Sequence, residues 1–162
     1  HAPTRGLMGY TSRFLTLTKG NGVINRLFHS YGKYTGDMEG RRNGALISMA
    51  SGKAVAFAIF NLQARGEMFV THNDPVYEGM IVGLSSKSGD LEINVMKGKQ
   101  LTNMRTQGTD ENVVLTPVRA MAIAEQLSML NSDEALEITP KSCRLRKSML
   151  NPHDRKRKSK AS

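Results

Sequence analysis

Residues 97–111 form a long polar run in which Leu101 and Met104 are the apolar members. Such a stretch has no face to bury. It carries three cations (Lys97, Lys99, Arg105), three side-chain amides (Gln100, Asn103, Gln107) and two glycines. Cations suit phosphate oxygens, and amides suit sugar hydroxyls and base edges, so the chemistry on offer is nucleic-acid contact. The same composition also describes a solvated, flexible surface loop.

Other reactive groupings fall short of a site. A phosphate-binding loop needs two glycines around four residues followed by Lys and a hydroxyl residue. Gly52-Lys53 is the nearest approach, but Ala54 stands in the hydroxyl position and Ile47 in that of the first glycine. Lys53 therefore reads as the start of a helix. His1, His29, His72 and His153 are scattered, and with Cys143 the one cysteine, no zinc-type spacing exists and no metal is expected. His72 with Asp74 could imitate a base and its orienter, but His72-Asn73-Asp74-Pro75 is better read as a turn. No catalytic constellation is expected, and Cys143 reads as a small core residue.

Charge is unevenly placed. The 162 residues carry a formal +9, yet from Lys141 onward nine Lys and Arg face one acid, Asp154, which leaves +8 in that end. The preceding 140 residues, with fourteen bases and thirteen acids, are nearly neutral. A basic end on a neutral body binds polyanions by counterion release. Arg144, Arg146 and Lys147, then Arg155, Lys156, Arg157 and Lys158, form a second basic surface, and taken alone Arg155-Lys156-Arg157-Lys158 suits nucleic acid, an anionic membrane or nuclear import. At 39% apolar residues the chain can enclose one core. No run of 18 apolar residues is present, so no membrane span is expected. The first residue is His1, which reads as a processed chain or as the C-terminal part of something longer.

The elements that must position these groups follow from periodicity. Leu7, Tyr10, Phe14 and Leu17 recur every three or four residues and predict a helix over 5–18, stopped at Lys19-Gly20. Residues 23–30 read as a strand, and 37–44 as a boundary. Beyond it, the apolar pattern predicts a strand over 45–49 and a helix over 53–65 with Val55, Ile59 and Leu62 as its stripe. Short strands follow over 67–71, 77–84, 91–96 and 112–115, a spacing that suits antiparallel pairing in a small barrel or curled sheet. Ile123, Leu127 and Leu130 mark a third helix. Strands over 136–139 and 142–146 come next, with Cys143 and Leu145 facing in and Arg144 and Arg146 facing out. After Pro152 the chain is expected to be disordered.

Several segments together resemble the C-terminal region of the TypA/BipA translational GTPases. Pro3-Thr4-Arg5-Gly6-Leu7-Met8-Gly9-Tyr10, Phe14-Leu15-Thr16 and Lys19-Gly20-Asn21-Gly22 are similar to the second half of the domain this family shares with elongation factor G. Arg42-Asn43-Gly44, Gly52-Lys53-Ala54, Leu62-Gln63-Ala64-Arg65-Gly66, Tyr77-Glu78-Gly79-Met80-Ile81-Val82-Gly83 and Asp90-Leu91 with Asn94 resemble the family's own C-terminal domain. So do Lys99-Gln100-Leu101-Thr102-Asn103-Met104-Arg105, Gly108-Thr109-Asp110-Glu111, Glu137-Ile138-Thr139-Pro140 and Arg144-Leu145-Arg146-Lys147.

The resemblance implies an α+β chain in three parts. Residues 1–42 would be the remnant helix and strand of a split βαββαβ domain. Residues 43–150 would be a mixed, mainly antiparallel β domain with two helices and a long polar loop, and 151–162 a basic disordered tail. It implies a ribosome-binding module that acts in large-subunit assembly and in translation under stress. Its loop would reach large-subunit rRNA and the acceptor arm of an A-site tRNA. Lys97, Lys99 and Arg105 would meet phosphates, and Gln100, Asn103 and Gln107 sugar or base edges. Such a chain is expected to be a monomer that avoids membranes. Its setting would be the cytoplasm in a bacterium, or a chloroplast or mitochondrion in a eukaryote. It would hydrolyse no GTP, since GTP and Mg belong to the family's N-terminal domain, outside this sequence. The stretch 120–126 departs from the family's more acidic, Thr-initiated version, and the tail is more basic, which points to a differently tuned affinity. The competing reading is a free-standing basic RNA-binding or interaction adaptor without ribosome specificity. Without their covering partners, residues 1–40 are expected to pack poorly.

Overall fold

The computed structural model describes residues 1–7, 9–34, 36, 43–98, 113–118 and 120–161. A 3-10 turn (Thr4–Leu7) leads to α1 (Tyr10–Leu17), and the two are separated at Gly9, whose φ of 72° lies in the left-handed region. There follow β1 (Ala45–Ser48), β2 (Gly52–Lys53), α2 (Ala56–Gln63), β3 (Gly66–Met68), β4 (Pro75–Val76), β5 (Ile81–Ser85) and β6 (Leu91–Ile93). After the polar run come α3 (Ile123–Ser128), β7 (Glu134–Ile138), β8 (Cys143–Lys147) and α4 (Pro152–Ala161).

The architecture is α+β and mainly antiparallel. Its centre is a four-stranded sheet ordered β3-β5-β1-β6, antiparallel except for the parallel pairing of β1 with β6. The β2–β4 pair and the β7–β8 hairpin form two further sheets, so the strands close into no barrel among the described residues. Period-2 alternation divides the sheet's residues between two cores. On one face Leu46, Met68, Val82 and Ile93 pack with Ile59 and Leu62 of α2. On the other, Ala45, Ile47 and Ile81 pack with Leu145 and Leu136 of the hairpin and with Leu130. With both faces covered, β1 is buried at all four positions, and the buried Ser48 hydroxyl donates to the Ala50 carbonyl at 2.8 Å.

Three expectations are corrected. Residues 23–30 form no strand. They carry no regular structure, with Val23, Leu27 and Phe28 exposed, and no strand among the described residues pairs with them. Lys53 does not start a helix: it pairs with Pro75 in the β2–β4 ladder, and α2 begins at Ala56. The segment after Pro152 is not disordered but helical. Asn151 accepts the His153 N–H at 2.8 Å, Pro152 occupies the first helical position, and Asp154 lies in the first turn, three signals that start helices.

The N-terminal segment meets the body closely at Gly9. A Cβ on Gly9 would lie 2.4 Å from Ser128 Oγ, so α1 approaches α3 through a glycine. This contact uses Ala124 and Ser128, whereas Ile123 and Leu127 of the expected stripe are exposed.

Candidate nucleic-acid interface

The described residues that flank the polar run are pinned to the core. Val95 is fully buried and its carbonyl accepts the Val55 N–H at 2.9 Å, while Met96 packs against the α2 side of the core. On the return side Leu115 packs on the same core. Lys97 and Gly98, which follow Met96, are exposed. Lys99, Gln100, Asn103, Arg105 and Gln107 lie outside the described residues. The described residues on either side of the run are thus fixed to the core, with Lys97 exposed at the near end.

The C-terminal cations divide into two groups by strand alternation. In β8, Cys143, Leu145 and Lys147 share the inward face, while Arg144 and Arg146 face outward. Glu137 lies directly across from Arg144 in the hairpin register. Its carboxylate pairs with Arg144 at 3.5 Å and Arg146 at 4.0 Å and accepts the Tyr77 hydroxyl at 2.6 Å. Burial, that hydrogen bond and the Glu137 charge push the Tyr77 phenol up to about 12, against a smaller opposing effect of the two arginines. Two guanidinium groups share one carboxylate, which leaves this face positive.

The placement of Lys147 in an exposed basic surface is corrected. Its side chain is 2% exposed, and its Nζ lies 2.5 Å from Asp90, 2.7 Å from Asp133 and 2.9 Å from Glu134. Burial would lower the ammonium pKa, but hydrogen bonds to Asp133, Asp90 and Glu134 outweigh it and hold the pKa above its usual value. Continuing the inward alternation from Cys143 through Leu145 reaches Lys147, a signal present in the sequence. Glu134 lies directly across from Lys147 in the hairpin register, Asp133 precedes Glu134, and Asp90 comes from a distant turn. Asp90 also accepts the Ala45 N–H at 2.7 Å, so the cluster ties the hairpin to the edge of the central sheet.

Arg155 likewise faces inward. It pairs with Glu92 at 2.9 Å and donates to the carbonyls of Met149, at 3.0 Å, and Leu150. Lys156, Arg157 and Lys158 are exposed along α4, joined by Lys160. The other groups with potential for chemistry are structural. Asp74 accepts the Thr71 N–H at 2.7 Å across the His72-Asn73 turn, where Asn73 has a φ of 69°. Cys143 is a half-buried free thiol beside Arg144 and Gln126 in an open hollow behind β5. No helix among the described residues is long and apolar enough to cross a membrane.

Comparison with known proteins gives a consistent kinship. The family model described as the TypA/BipA C-terminal domain matches residues 43–152. The chain is 48% identical over 160 residues to the large ribosomal subunit assembly factor BipA of Escherichia coli strain K12, covering 98% of this chain and 26% of that protein. It is 48% identical over 155 residues to the protein of the same name from Buchnera aphidicola subsp. Schizaphis graminum, covering 95% of this chain and 26% of the relative. For the Haemophilus influenzae protein the identity is 44% over 156 residues, covering 96% and 25% respectively. The chain thus spans about a quarter of the length of these curated relatives. With a family match across most of its residues, the chain belongs to the TypA/BipA C-terminal domain family.

Proposed function

We propose that this chain is a non-catalytic ribosome-binding module that acts in assembly of the large ribosomal subunit and in translation under stress. The observation that carries this reading is its likeness, along nearly its whole length, to proteins named large ribosomal subunit assembly factors. The surface chemistry supports an RNA partner. The root of the polar run is anchored between Val95 and Leu115, and Lys97 stands exposed at its start. Lys97, Lys99 and Arg105 are proposed to meet phosphates of large-subunit rRNA and of the acceptor arm of an A-site tRNA. Gln100, Asn103 and Gln107 are proposed to bond sugar or base edges. Arg144, Arg146 and the exposed cations of α4 add a sequence-independent term that weakens with salt.

The module is proposed to act as a monomer whose residues 43–150 form the folding unit. Bacterial relatives favour the cytoplasm as its setting. GTP hydrolysis, with its Mg, is assigned to sequence outside this chain.

Co-sedimentation with large ribosomal subunits and with bulk RNA, at moderate and high salt, tests the reading. The variant with Lys97, Lys99 and Arg105 changed to Ala is expected to lose salt-resistant ribosome binding while keeping weak bulk-RNA binding. The variant with Lys156, Arg157 and Lys160 changed to Ala is expected to retain ribosome preference. If the second variant loses all binding, and the parent shows no preference for ribosomes, the chain is a basic adaptor instead.

A further inference from the structure

The basic C-terminal segment is a helix fixed to the body. Arg155 faces inward, bonding Glu92 on β6 and the carbonyls of Met149 and Leu150, and Pro152 is half-buried on the same side. At about 100° per residue, the opposite side of α4 carries His153, Arg157 and Lys160, with Lys156 beside them. All four are exposed. Lys156 and Lys160 stand one turn apart, about 6 Å along the axis. This anchoring fixes the direction in which a row of cations points.

We propose that α4 is a prefolded reader of the phosphate backbone of duplex RNA, with Arg155 as its positioning residue. This rests on the RNA-binding role proposed above and names the structural class of RNA that this surface takes. A regular row of cations matches a regular row of phosphates, and no ordering cost is paid on contact. Single-strand binding uses aromatic platforms for base stacking, and α4 has no Phe, Tyr or Trp. Its outward cations read no base edge, so the contact is independent of sequence. Membrane-surface helices need an apolar face, and α4 has no large apolar residue.

Two substitutions preserve every charge while disturbing the geometry. Ser159→Pro removes the helical N–H at an exposed position and clashes with the carbonyl four residues earlier. Arg155→Lys keeps the charge but loses the planar fork that grips a carboxylate and two carbonyls at once. The test measures binding of the full chain to a two-turn RNA duplex, to a single strand of equal length and to phosphatidylserine vesicles, each across a salt series. Circular dichroism and hydrogen exchange report whether α4 and the body are intact.

The parent is expected to prefer the duplex. Both charge-preserving variants should weaken duplex binding about tenfold while changing single-strand binding little. Changing Lys156, Arg157 and Lys160 to Gln should lower the salt slope on the duplex by about 2–3. Equal affinity of the parent for duplex and single strand overturns the proposal, as does unchanged duplex binding when α4 is melted by Ser159→Pro. Tighter binding to the vesicles overturns it as well. The naked duplex reports on α4 alone, and the ribosome sedimentation of the Lys97/Lys99/Arg105 variant reports separately on the role beneath it.

Discussion

Replacing Lys147 with Met removes the cation at the centre of three carboxylates while keeping a side chain of similar length. The cost depends on where each carboxylate can go. Asp133, with its side chain 55% exposed, can turn into water at little cost. Asp90 is partly exposed and retains the Ala45 N–H. Glu134 has a fully buried side chain and accepts the Asn131 N–H at 3.1 Å. Breaking a buried ion pair by deleting one partner costs about 3–5 kcal/mol. Because only one of the three carboxylates is deeply trapped, the lower end applies, about 3 kcal/mol. The chain has no Trp, so far-UV circular dichroism follows unfolding in urea. At a slope of about 2 kcal/mol per M, the midpoint should fall by roughly 1.5 M. Adding Glu134→Gln should restore most of the loss, since the trapped charge is then gone. A loss below about 1 kcal/mol, or no recovery in the double variant, would refute the buried hub and return Lys147 to the solvated surface.

Further outcomes follow from the same geometry. Lys147 and Tyr77 both have raised pKa values in the folded chain, so their stabilising contributions are complete below the unfolded values of 10.5 and 10.0. Those contributions should disappear as pH rises through the folded values, about 12 for Tyr77, and a urea midpoint that stays level through that window would contradict them. Glu137→Gln removes two influences that raise the Tyr77 pKa and leaves burial, so phenolate absorbance should appear at lower pH; an unchanged titration would break the Tyr77–Glu137 link. Gly44→Ala places a Cβ 1.7 Å from the Gly89 carbonyl oxygen, and because that atom is backbone the Asp90 turn must move. A loss of about 1–3 kcal/mol is expected, and an unaltered melting temperature would show that the turn yields freely. Amides over 23–34 should exchange much faster than those of β1 and β5, whereas equal protection would mean that the N-terminal segment shares the body's stability.

The fold was legible where one physical pattern acted alone. Ile59 and Leu62 at helical spacing announced α2, and the apolar residues from Ala45 announced a strand. Cys143, Leu145, Arg144 and Arg146 gave the correct faces for β8. Reading stopped one residue early there, because the inward position at 147 holds a Lys, whose charge argued for solvent. Of its neutralising acids, Glu134 faces it across the hairpin and Asp133 precedes Glu134, but Asp90 comes from a remote turn that only folding brings to the same point. Composition misled at α4, where net charge outweighed the Asn151-Pro152 start and the Glu92 partner lies 63 residues away. Over 23–30 the apolar spacing suited a strand, but local pattern cannot supply the neighbour that a strand requires. The polar run is legible as chemistry. Its root at Val95 and Leu115 emerges only from the core those residues join.

A photocrosslinker placed at Lys97 tests the central claim most directly, with Lys87 in the β5–β6 turn as the comparison position. The chain would be bound to large ribosomal subunits carrying a tRNA acceptor-end analogue in the A site. The account predicts crosslinks from position 97 to large-subunit rRNA and to that acceptor end, surviving high salt, with few from position 87. Crosslinks of equal yield from both positions, or none to RNA from position 97 while the chain remains bound, would contradict it.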